Sequence, residues 1–357
     1  MDDQSRNVTI VVSRIDSTSP MHLCLEVADD LRAEGHQVEI LEIKAYLAAG
    51  RLVEMFRMLG RTGPRDVMIA CGALSDICLG AMRLLGGGRQ RSFVSYLHCD
   101  QWQDLKFERN IVWAAIYYAF WRGSLYLKHH VCCVSYDILN NFPRRLASRS
   151  RVIYNHVTSE AEASKSSASD DDLADIKDWI ARQQQTGRKV VVAFGLFRRR
   201  KNFTSLIEAV DRLPHVAMVL AGRGPDESAL RLAATRLSAD GRALIHDFIA
   251  RPARLCAYAD VYASCSHSEG FGLANLEAAR SGIPVVLPCH AVNLEVLADY
   301  PNVTFYNPHA PLHLSEELAR AIALPVEQRT RSDRPNRYSR RAFRASWAQF
   351  MAVSNAR

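Results

Sequence analysis

Apolar positions along the chain fall into two alternating patterns. Short runs rich in β-branched residues recur through the first half: NVTIVVS, QVEIL after the Gly35-His36 turn, DVMIACG (Asp66 to Gly72), SFVSYLH (Ser92 to His98) and HVCCVS (His130 to Ser135). Runs of this length and composition read as strands buried on both faces. Stretches of helical periodicity separate them, beginning with one from Met21 to Ala33. Strand and helix in alternation imply a parallel sheet with helices on both faces. The pattern lapses over residues 158 to 175, TSEAEASKSSASDDDLAD, where small, polar and acidic residues carry no core pattern. That stretch reads as a loop or interdomain segment. Alternation then restarts with KVVVAFG (Lys189 to Gly195), a helix from Asn202, HVAMVLAG (His215 to Gly222), a helix from Pro225, DVYASCS (Asp260 to Ser266) and IPVVLP (Ile283 to Pro288). The expected fold class is α/β, with two consecutive doubly wound domains at residues 1–157 and 188–337 and a linking region at 158–187. The two sets of strand carboxyl ends are expected to face a cleft. The closing RYSRRAFRASWAQFMAV is an amphipathic helix whose Tyr338, Phe343, Trp347, Phe350 and Met351 would pack on a distant surface.

Composition narrows the function classes. A chain of 357 residues accommodates two domains with ample core. No apolar run reaches the length of a membrane span, and MDDQSRNVTIVVS lacks the basic start and apolar centre of a signal peptide, which predicts a cytoplasmic location. Nine cysteines without a CxxC pair read as small buried hydrophobes in a reducing compartment, and a zinc site is not expected. The formal charge of +7 is spread along the chain apart from RRRK (Arg198 to Lys201) and the arginine-rich end. No nucleic-acid motif accompanies it, so the expected partners are anionic small substrates or an anionic membrane surface. FERNIVWAAIYYAFWRGSLY (Phe107 to Tyr126) is unusually aromatic but too short and too interrupted by charge to cross a bilayer. It reads as a core helix of the first domain, with docking on a membrane surface as the alternative.

The densest chemistry lies in SHSEGFGLANLEAARSGIPVV (Ser266 to Val286), where Glu269 and Glu277 stand eight positions apart around Gly-Phe-Gly. Gly270 and Gly272 permit a tight turn, and LANLEAAR has the periodicity of a short helix. The turn therefore feeds a helix N-terminus, where unpaired amides and the helix dipole favour an anion such as phosphate. With a strand on either side the unit is βαβ, and ligands of open parallel sheets collect at strand carboxyl ends. Glu269 sits on the loop and Glu277 about one turn into the helix, so both carboxylates can border one pocket. Carboxylates suit hydroxyl donors such as sugar diols.

The ordered set FGLFRRRKNFTSLIEAV, VLAGRGP and YADVYASCSHSEGFGLANLEAARSGIPVV resembles the nucleotide-sugar half of family-4 retaining glycosyltransferases of GT-B architecture. The resemblance covers Val190 to Pro288 well; the first half shares only the fold pattern, GHQVEIL, LHCD and VIYNHV, and the architecture implies that the C-terminal helix, residues 338–357, crosses back to the first domain. It implies that Glu277 binds the ribose hydroxyls and that Glu269 contacts the transferred sugar or its developing charge. It implies further that the turn Gly270, Phe271, Gly272 and Leu273 offers amides to diphosphate and sugar, and that Lys201 neutralises the leaving diphosphate. Gly195 belongs to the same donor loop, and His98, ending the strand in LHCD, would face the donor sugar. The chain also departs from the family. Leu196 stands where an arginine is usual, so a second cation must come from Arg198, Arg199 or Arg200; Arg198 is assigned to the donor site. Without any of them the leaving group loses a charge-assisted contact of roughly 1.5–3 kcal/mol, one to two powers of ten in rate. SRIDSTSPMH replaces a glycine-rich loop, leaving Ser17, Thr18 and Ser19 as donors; His156 replaces a glycine in VIYNHV and reads as interdomain structure; Glu295 corresponds to the glutamate of a donor-side loop whose proline is absent. Asp170 to Asp172 read as a solvated acidic loop, so no metal site and no cofactor are expected.

These readings converge on transfer of a hexose, with retention, from a UDP- or GDP-type sugar donor to a hydroxyl of a glycan or lipid-linked acceptor in surface polysaccharide synthesis. The protein would work in the cytoplasm, peripheral on the inner face of the plasma membrane where its acceptor is lipid-linked. The alternative is a catalytically silent GT-B partner in a polysaccharide assembly complex.

Overall fold

A computed structural model describes residues 5–15, 19–51, 53–55, 57, 66–85, 92–157, 173–310, 312–324 and 337–353. The chain divides into two compact units, Met1–His156 with Asn336–Arg357, and Val157–Pro335.

The first unit runs β1 (Asn7–Val12), α1 (Ser19–Ala33), β2 (Gln37–Glu42), α2 (Ile43–Ala48), β3 (Val67–Cys71), α3 (Ala73–Leu84), β4 (Ser92–Leu97), α4 (Gln101–Glu108), α5 (Ile111–Leu125), β5 (His130–Cys133), α6 (Tyr136–Asn140), α7 (Arg144–Ala147) and β6 (Ser150–Val152). All six strands pair in parallel in the order β2-β1-β3-β4-β5-β6. The expected apolar runs are these strands, and every residue of β3 is buried, as a sheet covered on both faces requires. The aromatic stretch expected as one core helix is two helices, because Arg109 and Asn110 interrupt it and the Asn110 side chain accepts from the Val112 amide to open α5. One side of α5 is core: Trp121 is fully buried and its indole N–H donates to Asp76 Oδ2 at 2.9 Å, with the Lys128 ammonium donating to the Asp76 carbonyl at 2.9 Å. Burial pushes the Asp76 carboxyl up to about 6 despite the opposing pull of Lys128.

The second unit runs α8 (Ala174–Gln185), β7 (Lys189–Phe194), α9 (Phe203–Asp211), β8 (Val216–Ala221), α10 (Glu227–Ala233), α11 (Thr235–Ala239), β9 (Ala243–His246), β10 (Val261–Ala263), α12 (Leu273–Arg280), β11 (Val285–Pro288), α13 (Ala291–Leu297), β12 (Val303–Tyr306) and α14 (His313–Ala323). Its parallel sheet has the order β12-β11-β10-β7-β8-β9. Residues 174–185, expected within the linking region, form α8 instead. Ile176 and Ile180, one turn apart, bury one side of it, a signal that the acidic residues just upstream obscure in the sequence. Residues 158–172, with Asp170 to Asp172, lie outside the described residues.

Helix α15 (Arg340–Val353) belongs to the first unit, and Tyr338, Phe343, Trp347, Phe350 and Met351 are all buried. Trp347 packs edge-on against Tyr96 with ring centroids 5.0 Å apart, and Arg340 bonds Asp30 of α1 at 3.1 Å. Among the described residues no helix is long and apolar enough to cross a membrane.

Candidate active site

In the second sheet the strand order reverses between β7 and β10. In open parallel sheets such a switch point is where ligands collect, between the loops that follow the two strands. The loop after β7 carries Gly195 to Asn202; the loop after β10 carries Ser264 to Gly272. Fold topology alone therefore brings Lys201 and Glu269, far apart in sequence, to one point.

Their side chains meet there. Lys201 Nζ donates to Glu269 Oε1 at 2.7 Å, and the Arg200 guanidinium lies 3.5 Å from Oε2 while donating to the Ser268 carbonyl at 2.5 Å. Burial pushes the Glu269 carboxyl up, but Lys201 and Arg200, with hydrogen bonds from Lys201 and Ser266, outweigh it and hold it at about 2. Two features of the β7 loop aim these cations. Residues Arg199–Lys201 form one tight 3-10 turn, and Asn202 follows in the left-handed region at φ 50° before opening α9. Asparagine tolerates that conformation better than other side-chain-bearing residues, which accounts for Lys-Asn as a pair. The loop is also pressed onto the end of β8, because a Cβ at Gly222 would stand 1.9 Å from the Gly195 carbonyl oxygen.

The β10 loop ends in the glycine turn. Gly272 is left-handed (φ 81°) and directly precedes α12, whose N-terminus has no side-chain cap among the described residues. A buried polar chain fixes this end: Tyr262 hydroxyl donates to Asn275 Oδ1 (3.0 Å), Asn275 Nδ2 to Asn293 Oδ1 (3.1 Å), and Asn293 Nδ2 to the Pro288 carbonyl (2.9 Å). Each member is satisfied by the next, so strand, helix α12 and helix α13 are locked in register. A Cβ at Gly272 would meet Asn275 Nδ2 at 3.1 Å, inside this chain of bonds.

Glu277, in the second turn of α12, has a different fate. No cation and no hydrogen-bond donor among the described residues reaches it, and burial alone pushes it up to about 7. It nonetheless shares the site with Glu269, since both carboxylates act with burial to raise the Tyr262 hydroxyl well above its ordinary value. One acid is ionised and clamped; the other is uncompensated and open to a ligand's donors.

The geometry sorts the residues expected here. Glu269, Lys201, Gly270, Phe271, Gly272, Leu273 and Glu277 fall on the two loops and the helix they feed, and Gly195 opens the β7 loop. Of the three arginines, Arg200 is half-buried against Glu269, whereas Arg198, assigned from the sequence, and Arg199 are exposed. Glu295 lies on α13. His98 belongs to the first unit, at the carboxyl end of β4, with Nε2 3.7 Å from Cys24 Sγ and its ring 4.2 Å from that of Tyr96. Its Nδ1 is buried without a partner among the described residues. His156 is buried with Nε2 2.5 Å from Glu26 Oε2, a tie within the first unit. Ser17 and Thr18 lie outside the described residues. The asparagines 275 and 293 went unnoticed in the sequence; the available signal was a polar residue at a core-facing position on each of two short helices. Among the described residues no three His, Cys, Asp or Glu side chains gather as a metal site would need.

Comparison with known proteins bears on this same region. Residues 175–342 match the family described as Glycosyl transferases group 1. A stretch of 97 residues is 38% identical to the lipopolysaccharide core biosynthesis glycosyltransferase LpsE of Rhizobium meliloti (strain 1021); it amounts to 27% of this chain and 28% of that protein. The alignment therefore spans less than a third of the curated relative. Among solved structures, Anabaena HepE in complex with UDP superposes with a TM-score of 0.71 at 17% identity, over 97% of this chain and 100% of that one. Sucrose-phosphate synthase from Thermosynechococcus elongatus gives 0.71 at 16% identity, over 98% of both chains. At such identities the likeness is one of fold, and the fold is GT-B: two doubly wound Rossmann-like units with the C-terminal helix returned to the first.

Proposed function

We propose that the protein is a retaining glycosyltransferase that moves a hexose from a nucleoside diphosphate sugar to a hydroxyl of a glycan or lipid-linked acceptor in surface polysaccharide synthesis. The observation that carries this reading is the grouping of Lys201, Arg200, Glu269, the start of α12 and Glu277, the last two without a side-chain partner among the described residues, at one topological switch point. Support comes from the family match over the second unit, from the activity in the name of LpsE, and from HepE having been solved with UDP and with UDP-glucose.

Each side chain has a part in that reaction. Glu277 accepts hydrogen bonds from the ribose diol. The α12 amides, Lys201 and Arg200 take the diphosphate, with Arg200 standing in for the cation that Leu196 does not supply; no metal and no cofactor is called on. Glu269, kept ionised by its neighbours, faces the positive charge that builds on the sugar as its bond to the phosphate oxygen lengthens. That bond breaks, the acceptor oxygen bonds the anomeric carbon from the same face, and the acceptor proton passes to the departing phosphate oxygen. The resemblance gives His98 a place beside the donor sugar, which a His98→Ala variant tests separately. A lipid-linked acceptor would put the protein at the cytoplasmic face of a membrane.

Calorimetric titration with UDP and GDP tests the pocket. One nucleotide should bind, and Glu277→Ala and Lys201→Ala should each weaken it. Unchanged affinity in both variants refutes the site; absence of binding by either nucleotide favours a silent scaffold, the reading that Leu196 and the altered first-unit loop would motivate.

A further inference from the structure

We infer that the outer side of α5 docks the protein onto an anionic lipid bilayer. Val112, Trp113, Ile116 and Phe120 are 61%, 70%, 43% and 68% exposed, and their spacing puts them on one side of the helix. Ile111, at the helix start, is also exposed. The opposite side buries Ala114, Trp121 and Leu125. The helix is thus apolar all round while only half of it has protein to pack on, a state that water penalises and that marks an interaction surface. Its one charged residue, Arg122, is turned to the Asn141 carbonyl at 2.7 Å and to the Phe142 ring.

Charge selects the occupant. The stretches 1–156 and 336–357 hold 24 Lys and Arg against 16 Asp and Glu, whereas 157–335 holds 21 against 22. The entire positive excess of the protein thus sits in the unit that carries this face. Lys106 and Arg109 precede the helix, and the exposed Arg144 and Arg145 follow the Asn141–Phe142 segment that meets its far end. The acids of this neighbourhood are Asp104 and Glu108 on α4, Asp137 on α6, Asp100, which is taken up by the Tyr118 hydroxyl, and the buried Asp76, which is taken up by the Trp121 indole. A unit with so large a positive excess repels its own copy but is drawn to anionic headgroups, and exposed tryptophan and phenylalanine beside aliphatic residues suit the boundary between headgroup and acyl chain. Insertion would bury the outer side of α5 in that boundary while the helix lies parallel to the membrane plane. This inference stands apart from the catalytic reading, since it involves neither nucleotide nor acceptor.

The test is co-sedimentation of the full chain with vesicles of phosphatidylcholine and phosphatidylglycerol in roughly equal parts, against vesicles of phosphatidylcholine alone, with tryptophan emission as a second readout. Binding to the anionic vesicles is expected, with a blue shift of emission, and raising the salt from roughly 0.1 to 0.5 M should weaken it. The double variant Trp113→Ser/Phe120→Ser, which alters only exposed side chains, should stay folded by circular dichroism and partition at least about tenfold less. Lys106→Glu/Arg109→Glu should reduce binding while keeping the blue shift of the fraction that binds. Equal binding to both vesicle types, undiminished binding by the serine variant, or no binding overturns the inference. So does a dimer of the native chain in the ultracentrifuge that the serine variant dissociates, because a second copy would then be what covers the face.

Discussion

Replacing Glu277 by glutamine removes an acid that no described residue compensates while keeping its shape. Its carboxyl is raised from an ordinary 4.5 to about 7 by burial with no counterweight, so the folded protein binds a proton more tightly than the unfolded chain does. The stability this protonation provides is complete below pH 4.5 and disappears as pH rises through about 7. Linkage between those two values gives a loss of about 2 kcal/mol from this group alone between roughly pH 5.5 and 8.5. Glutamine does not titrate, so the stability of Glu277→Gln relative to the native chain should improve by about that amount over the same range. For a unit of this size the change corresponds to about 4–8 °C in its melting transition. UDP should reverse the ranking. On the proposed reading a ribose diol donates to the ionised carboxylate, so native affinity should climb as pH passes through 7, while the variant binds more weakly and with a flatter pH profile. Scanning calorimetry at the two ends of the range, with and without UDP, reads both effects. Parallel pH profiles for the two unliganded proteins would refute the argument, because they would mean that Glu277 is solvated or already partnered.

Three further outcomes follow from the same contacts. Lys201→Met should destabilise the fold by about 1–3 kcal/mol by leaving Glu269 with Arg200 alone, and adding Glu269→Gln should restore stability in urea titration without restoring nucleotide affinity. Arg200→Ala should weaken UDP binding by roughly tenfold, the value of one charge-assisted contact, whereas Arg199→Ala should change it little; equal effects in titration calorimetry would show that no single arginine replaces the one missing at Leu196. Gly272→Ala should cost about 1–2 kcal/mol, because alanine at φ 81° is strained and its Cβ crowds Asn275, and it should also lower UDP affinity; an unchanged melting temperature would count against a rigid turn.

The sheets were readable in the sequence because a strand covered on both faces leaves an unbroken apolar run, as VMIAC and VVVAF do. The turn into α12 was readable because Gly270 and Gly272 meet the demands of a tight local bend. What periodicity could not give was any contact set by topology. That Arg200 rather than Arg198 turns to Glu269 depends on a 3-10 turn ended by a left-handed asparagine, and the two residues differ in the sequence only by position in an arginine run. Helix α8 was hidden for the opposite reason: two isoleucines one turn apart are a faint signal next to a long acidic tract. The aromatic stretch deceived in yet another way. Apolar residues on all sides of α5 look like a core helix, and only the packing of Trp121 against Asp76 shows which half the protein itself covers.

The contrasting states of Glu269 and Glu277 follow from where each stands relative to β7. Glu269 lies on the loop from β10, the strand hydrogen-bonded to β7, so cations leaving β7 reach it directly; Glu277 lies a full helical turn beyond, where no cation among the described residues arrives. With Glu277 protonated, Lys201 and Arg200 against Glu269 leave one unit of positive charge at rest. On the proposed reading, a diphosphate draws both cations toward itself, and each contact they shift to phosphate is one that Glu269 loses. The acid would then be buried, ionised and short of partners at the moment when positive charge builds on the sugar beside it. Its stabilising effect is greatest there, because a carboxylate already removed from water has no solvent shell to give up. The resting ion pair would thus serve to keep Glu269 ionised until the donor takes its cations.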